Sequence, residues 1–261
     1  MDKTALVTGA SGGIGLEFAE RLAKEGYKVT LVARNEAKLK QHANRMGPGH
    51  RVVAADLSRV VDAQRVAEHL RAEHYDVLVN NAGVGVYGAF AESELEPTLA
   101  MMRLNIDSLV LLSHAFLKGA RRGDALMNVA SSLGLLAFPG AAVYAATKAF
   151  VTAFSEALWF ENKERGVYVA GLLPGVTKTG FHSAAGGTAD RAPPDAISQT
   201  STQVVDAAMT ALRRRASPTV LTSFTNKAMV FFGTRMIPRR SMVKMMGGQS
   251  PVAQKAAAAS T

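Results

Sequence analysis

Tyr144 and Lys148 stand four residues apart in Val143-Tyr144-Ala145-Ala146-Thr147-Lys148. On a helix that spacing puts both side chains on one face. A phenol beside an ammonium is a proton donor with an electrostatic assistant. A free tyrosine titrates near ~10, and a neighbouring cation favours the phenolate. Such a pair can give a proton to an alkoxide, or take one from an alcohol, near neutral pH. With 5 Tyr and 12 Lys in 261 residues the spacing also arises by chance, so the surrounding elements must decide.

A second chemical signal lies near the start. The apolar run Thr4 to Thr8 leads into Gly9-Ala10-Ser11-Gly12-Gly13-Ile14-Gly15, and Leu16, Phe18, Ala19, Leu22 and Ala23 continue at helical spacing. This order reads as strand, glycine loop, helix. Glycines let a backbone approach a ligand closely, and a helix N-terminus offers free N–H groups to phosphate oxygens. Turns also collect glycine. The spacing is G-x-x-x-G-x-G rather than the G-x-G-x-x-G of the usual dinucleotide fingerprint. A second strand, Lys28 to Ala33, ends at Arg34-Asn35, where that fingerprint would place an acid for a ribose 2′-hydroxyl. Arginine suits a 2′-phosphate instead, which predicts NADP(H) ahead of NAD(H). The other reading of Arg34 is a surface residue at a strand end.

The elements that must position these groups follow in alternation. Val52 to Ala55 reads as a third strand ending at Asp56-Leu57. Asp56 could accept from an adenine amino group, or it could N-cap the helix through Val61, Val66, Ala67 and Leu70, as could Ser58. Asp76 to Val79 is a fourth strand, closed by Asn80-Asn81-Ala82-Gly83. From Pro97 to Leu117 the pattern is helical with Asn105 inside it, a mildly unfavourable position usually found at the surface. Ala125 to Ala130 is a fifth strand, ending in Ser131-Ser132-Leu133-Gly134. Tyr144 and Lys148 lie on a helix reaching about Asn162. Val167 to Leu173 is a sixth strand, followed by Pro174-Gly175-Val176-Thr177-Lys178-Thr179. Repeated strand-then-helix units predict an α/β protein with a doubly wound parallel sheet, three layers and helices on both faces. Ligands of such sheets lie beyond the carboxyl ends of the strands, where all these loops fall.

In this order the features resemble the short-chain dehydrogenase/reductase family over about residues 3 to 180, and on to a strand near Thr219 to Leu221. The resemblance implies a Rossmann fold of about seven strands and one catalytic domain across residues 1–261. It implies that Thr8-Gly9-x-x-x-Gly13-x-Gly15, with Ser11 and Ile14, holds a cofactor pyrophosphate. Asp56, Leu57, Asn81, Ala82 and Gly83 would lie on its adenosine side. The implied active-site group is Ser131, Tyr144, Lys148 and Asn105. Ser131 is preferred to Ser132 because it stands 13 residues before Tyr144 with a Gly three residues on. Lys148 would also anchor the nicotinamide ribose, and Asn105 would hold a water joining Lys148 to solvent. The turn containing Pro174, Gly175, Thr177 and Thr179 would hold the nicotinamide amide. Members that prefer NADP often carry Lys or Arg just before the middle loop glycine, whereas this chain has Gly12, so the cofactor reading rests on Arg34.

The implied reaction is hydride transfer between nicotinamide and a carbonyl or secondary alcohol, with Tyr144 as general acid/base. Leu133, Leu135, Leu136, Phe138 and Val143 suggest an apolar substrate wall, or simply core. A substrate lid is expected at about 180–200. Ala149, Ala153 and Ala157, beside Phe150 and Phe154, suit either a homodimer or homotetramer interface or packing within the chain. Rival readings are a 3-oxoacyl thioester reductase, a non-catalytic nucleotide-binding protein, and a sugar-nucleotide epimerase, for whose substrate domain the C-terminal part leaves little room.

Composition narrows the remaining classes. There is no Cys, hence no disulfide framework and no thiolate chemistry, and no metal site is expected. The net charge of +9 suits an anionic ligand, nucleic acid or membrane surface, but no aromatic-and-basic interleaving of the nucleic-acid type is present. No run of 18 or more apolar residues and no signal-peptide pattern is seen, which predicts a cytoplasmic protein without a membrane span. Between about 224 and 248, Met229, Val230, Phe231, Phe232, Met236, Ile237, Met242, Met245 and Met246 alternate with Lys227, Arg235, Arg239, Arg240 and Lys244. This basic amphipathic segment could meet a membrane, cover an apolar ligand, contact a subunit or pack on its own domain. Residues from about 250 to 261 read as a frayed tail.

Overall fold

The computed structural model describes residues 3–181 and 198–248. Seven parallel strands form one sheet: β1 (Thr4–Thr8), β2 (Lys28–Ala33), β3 (Arg51–Ala54), β4 (Val77–Asn80), β5 (Ala125–Val129), β6 (Tyr168–Leu173) and β7 (Thr219–Leu221). Their spatial order is β3-β2-β1-β4-β5-β6-β7. The chain therefore winds outward to β3, returns past β1, and continues on the other side. That reversal opens a crevice at the carboxyl ends of β1 and β4.

The strands are apolar on both faces because helices cover both. In register, Leu6, Leu78, Leu126 and Val169 line up across four strands and pack under one helical layer. Their neighbours Val7, Val79, Met127 and Ala170 point to the other layer. Each fully buried leucine contributes ~1.5–3 kcal/mol. One layer contains α1 (Gly13–Lys24), α2 (Glu36–Met46) and α7 (Ser201–Arg214); the other contains α3 (Val60–Ala72), α5 (Leu109–Gly119) and α6 (Ala142–Glu161). Beyond these lie α4 (Leu95–Met102), α8 (Phe224–Arg235) and α9 (Arg239–Gly248).

Two expectations need correction. Neither Asp56 nor Ser58 caps α3: the N-cap is Arg59, without a side-chain hydrogen bond. Asp56 Oδ1 instead accepts from Ser58 N at 3.1 Å and Ser58 Oγ at 2.7 Å, a local turn that competes with capping. The second concerns membrane spans. A π-helical turn, Arg103–Ser108, joins α4 to α5, making one 25-residue helix from Leu95 to Gly119 that is long and apolar enough, by length and composition, to cross a membrane. Arg103, Asn105 and Asp107 interrupt the apolar run and hide it from a search for unbroken stretches. In this fold Leu112, Ala115 and Phe116 of that helix are core residues beside α3. Most of the expected lid (182–197) and the tail (250–261) fall outside the described residues.

Candidate active site

The glycine loop is fastened to the end of β4. Asn81 N and Ala82 N both donate to Thr8 Oγ1 at 2.9 Å, and Asn81 Nδ2 donates to Thr8 O at 2.9 Å. Side chains at the glycines would break this clamp. A Cβ on Gly15 would lie 2.3 Å from Gly9 O and 2.4 Å from Asn81 Nδ2, and Gly9 has φ +67°. Gly13 faces Thr179, whose Cγ2 would be 3.3 Å from an added Cβ. The Pro174–Thr179 turn thus reaches back to the glycine loop. Helix α1 starts at Gly13 with no side-chain cap and no acid in its first turn, which leaves its leading N–H groups for an anion. The residues present therefore fit a pyrophosphate.

Ser131, Tyr144, Lys148 and Asn105 converge beyond β4 and β5, all of them buried. The Ser131 hydroxyl neighbours the Tyr144 phenol and accepts from Leu133 N at 3.2 Å. Ser132 is buried beside it, with its backbone N–H tied to Pro174 O at 2.9 Å. Gly134 allows the serine loop to sit on α6: an added Cβ would lie 2.6 Å from Lys148 C and 2.7 Å from Lys148 O. Lys148, 4% exposed, donates from Nζ to Val129 O at 2.8 Å and lies 5.9 Å from the Tyr144 ring centroid.

The mid-helix Asn105 is no surface residue; it is 1% exposed and lies in the π turn. Its Nδ2 donates to Val84 O (3.0 Å) and Thr147 Oγ1 (3.1 Å), and its Oδ1 accepts from Val84 N (3.1 Å). These contacts pin the loop after β4 to α6. An added Cβ on Gly83 would lie 3.1 Å from Asn105 Oδ1 and 3.3 Å from Lys148 Nζ, so this glycine keeps open the space the two groups share.

Burial reverses the electrostatics expected from spacing alone. The Tyr144 phenol is raised above its ordinary range, first by burial and then by Tyr87, with Ser131 pulling the other way. Burial also lowers the Lys148 ammonium to about 8. Desolvation penalises both charged forms, and it outweighs the favourable pairing. In the protein as it stands Tyr144 is a held proton rather than a phenolate.

The remaining predicted positions divide. Arg34 is exposed just past β2 and makes no hydrogen bond or ion pair among the described residues. Gly12 has nothing within 4 Å of an added Cβ. Ser11 is half-buried. Ile14 packs on the α1 side of the core, while Leu57 is buried in the opposite core and Ala82 packs against it, leaving those three only their backbones for a ligand. Gly175 O accepts from Thr177 Oγ1 at 2.9 Å. Of the expected wall, Leu133, Phe138 and Val143 pack with Tyr144, Leu135 joins a separate core cluster, and Leu136 is buried against the C-terminal helices.

Sequence reasoning missed several members of the site. Tyr87 meets Tyr144 edge-on at 6.0 Å between ring centroids, and Phe181 lies at 5.6 Å. Thr147 holds Asn105. A buried polar chain also ties the floor of the site together: Asn80 Nδ2 donates to Ser113 Oγ and Asn128 Oδ1, and Asn128 Nδ2 donates to Ser155 Oγ, each at 3.0 Å. Polar residues at the ends of apolar strands were the only available signal.

The sequence matches the short chain dehydrogenase family model over residues 3–189. The very-long-chain 3-oxoacyl-CoA reductase of Rattus norvegicus is 34% identical over 180 residues, covering 65% of this chain and 58% of that protein. The chain thus spans under two thirds of that relative's length. A short-chain dehydrogenase from Sphingobium yanoikuyae, solved in complex with NADPH, superposes with a TM-score of 0.80 at 31% identity, covering 90% of this chain and 94% of that one. The bulky-bulky ketone specific alcohol dehydrogenase from Comamonas testosteroni gives 0.74 at 29% identity, with 85% and 86% coverage.

Proposed function

The chain belongs to the short-chain dehydrogenase family, and from that membership we propose that it is an NADP(H)-dependent oxidoreductase acting on a carbonyl, or the matching secondary alcohol, of a largely apolar substrate. The observation that carries this reading is the convergence of buried Ser131, Tyr144 and Lys148, the last two on one face of α6 with Lys148 Nζ 5.9 Å from the Tyr144 ring centroid. The bound nicotinamide supplies and accepts the hydride. Gly9, Ser11, Gly13, Ile14 and Gly15 would hold its pyrophosphate, Asp56, Leu57, Asn81, Ala82 and Gly83 its adenosine side, and Pro174, Gly175, Thr177 and Thr179 its amide. Arg34 would meet a 2′-phosphate, and the NADPH held by the Sphingobium neighbour supports that choice over NAD(H).

In the reducing direction Tyr144 donates its proton to the substrate oxygen. Ser131 donates a hydrogen bond to the same oxygen as charge develops there. Lys148 stabilises the phenolate left behind and anchors the ribose. Asn105, through its remaining Oδ1 lone pair, holds a water that returns a proton toward Lys148. Acid–base help of this kind is worth on the order of 10²–10⁴. The raised proton affinity of Tyr144 suits reduction, because the donor is fully loaded at neutral pH. Leu133, Phe138, Val143, Tyr87 and Phe181 provide the apolar surround.

The test is NADPH consumption against a panel of apolar ketones, with Tyr144→Phe as control: turnover is lost while NADPH still binds, and near-wild-type rates would remove Tyr144 from this role. A second reading, 3-oxoacyl thioester reduction, is favoured by the rat relative and its named substrate class. Coenzyme A thioesters turned over faster than the free ketones would select it. We further propose that residues 1–261 act as one cytosolic domain that self-associates through α6, where Phe150 stacks on Phe154 while Ala153, Ala157 and Phe160 are exposed. Ala153→Arg should then shift the mass seen by light scattering to the monomer.

A further inference from the structure

All of the chain's excess positive charge lies after Asp206. Residues 207–261 contain nine Lys and Arg and no Asp or Glu, whereas residues 1–206 contain 21 of each kind and are neutral overall. Five of the nine, Lys227, Arg235, Arg239, Arg240 and Lys244, are on or beside α8 and α9, and all five are exposed. Large apolar side chains share that surface: Phe232 is 56% exposed and Met236 69%, with Val243 and Met245 also exposed. The two helices are tied to each other and to the segment between Ser131 and Tyr144. An added Cβ on Gly233 would lie 2.7 Å from Met242 Cε and 3.7 Å from Leu136 Cδ2, and one on Gly247 would lie 3.5 Å from Pro139 Cγ. Residues 132–143, on which they rest, carry no charge at all.

We propose that this helical pair docks on an anionic phospholipid bilayer. Basic groups near such a surface each add favourable energy, and apolar side chains between them can enter the headgroup layer. A second copy of the chain fits poorly, because a two-fold contact here would set five cations against five. A folded acidic partner would match the charge, but short helices with Phe, Met and Val interleaved among the cations match a headgroup layer better. Docking would hold the mouth of the cleft, next to Leu136 and Pro139, at the lipid surface. That consequence rests on the apolar-substrate reading; bilayer binding itself does not.

The test is flotation of the full chain with vesicles of phosphatidylcholine alone and of phosphatidylcholine containing roughly 30 mol % phosphatidylserine. We expect partition to be more than tenfold stronger on the anionic vesicles and to weaken with salt. Arg239→Glu/Arg240→Glu should abolish it and Met236→Glu/Met245→Glu should weaken it severalfold, with circular dichroism and NADPH binding unchanged in both. Equal partition on the two vesicles, no flotation, or full flotation of the Met236→Glu/Met245→Glu variant would overturn the proposal. So would an oligomer, or a complex with a soluble acidic protein, that only Arg239→Glu/Arg240→Glu disperses. None of these readouts requires turnover.

Discussion

At the N-terminal edge of the sheet, His74 Nε2 lies 3.7 Å from Asp76 Oδ1 and 3.5 Å from Asp124 Oδ1. Asp76 Oδ2 accepts from Thr4 N at 2.7 Å, and Asp124 Oδ2 from Arg121 N at 2.6 Å. Burial raises the Asp124 carboxyl, while the Arg121 N–H and His74 pull it back. At the C-terminal edge, Tyr144 and Lys148 are buried with no carboxylate beside them among the described residues, and burial dominates both. A cavity of about 190 Å³ lies at the N-terminal edge, against Arg71, His74 and Arg121. Burial is thus the largest influence at both ends, offset at Asp124 by a backbone donor and opposite charge but at Tyr144 only by Ser131. The less burial is offset, the more poised a group is to exchange a proton.

Substitutions at each end can break or sharpen that contrast. Tyr144→Phe should lower turnover on the order of 10³-fold while leaving the thermal midpoint nearly unchanged. Steady-state kinetics and calorimetry together would check it, and a large loss of stability would contradict the contrast. At the other edge Asp124→Ala should cost roughly 2–4 kcal/mol in urea unfolding, because it strands the Arg121 N–H and removes the nearer of the two carboxylates at His74, and it should leave kcat intact.

Lys148→Met probes the pH dependence. The folded pKa is about 8, below the ordinary 10.5, so between those values the unfolded chain binds more protons and stability rises with pH. From pH 7 to pH 9.5 the wild type should gain about 2 kcal/mol relative to Lys148→Met in matched denaturant titrations. The smallest effect expected is at Arg34, exposed at the C-terminal edge. Arg34→Ser should cut the preference for NADPH over NADH about tenfold, or ~1.4 kcal/mol, with no change in stability. Isothermal titration with each nucleotide would measure it.

The fold was legible because apolar strands read on both faces leave few alternatives, and each strand end fell within one residue of its expected place. The glycine loop and the Tyr144–Lys148 pair were legible because their geometry is local. Asn105 was legible only through the family resemblance, since its contacts are to Val84, 21 residues away, and Thr147, 42 away. The Asn80–Asn128–Ser155 chain spans 48 and 27 residues for the same reason. The sign of the Tyr144 shift was misread because spacing reports a neighbouring charge but not the absence of water. Tyr87 gave no signal, as a lone aromatic after a strand has no period to betray it.

Where Gly134 lies against the main chain of Lys148, the serine loop is spliced to the catalytic helix without any intervening side chain. The separation between hydroxyl and phenol thereby depends on a contact between two backbones. Tyr87, whose ring meets Tyr144 and helps it hold its proton, cannot be exchanged without retuning that donor. The wall of the site and the proton affinity of Tyr144 are in this sense coupled at Tyr87, whereas the splice at Gly134 stays fixed.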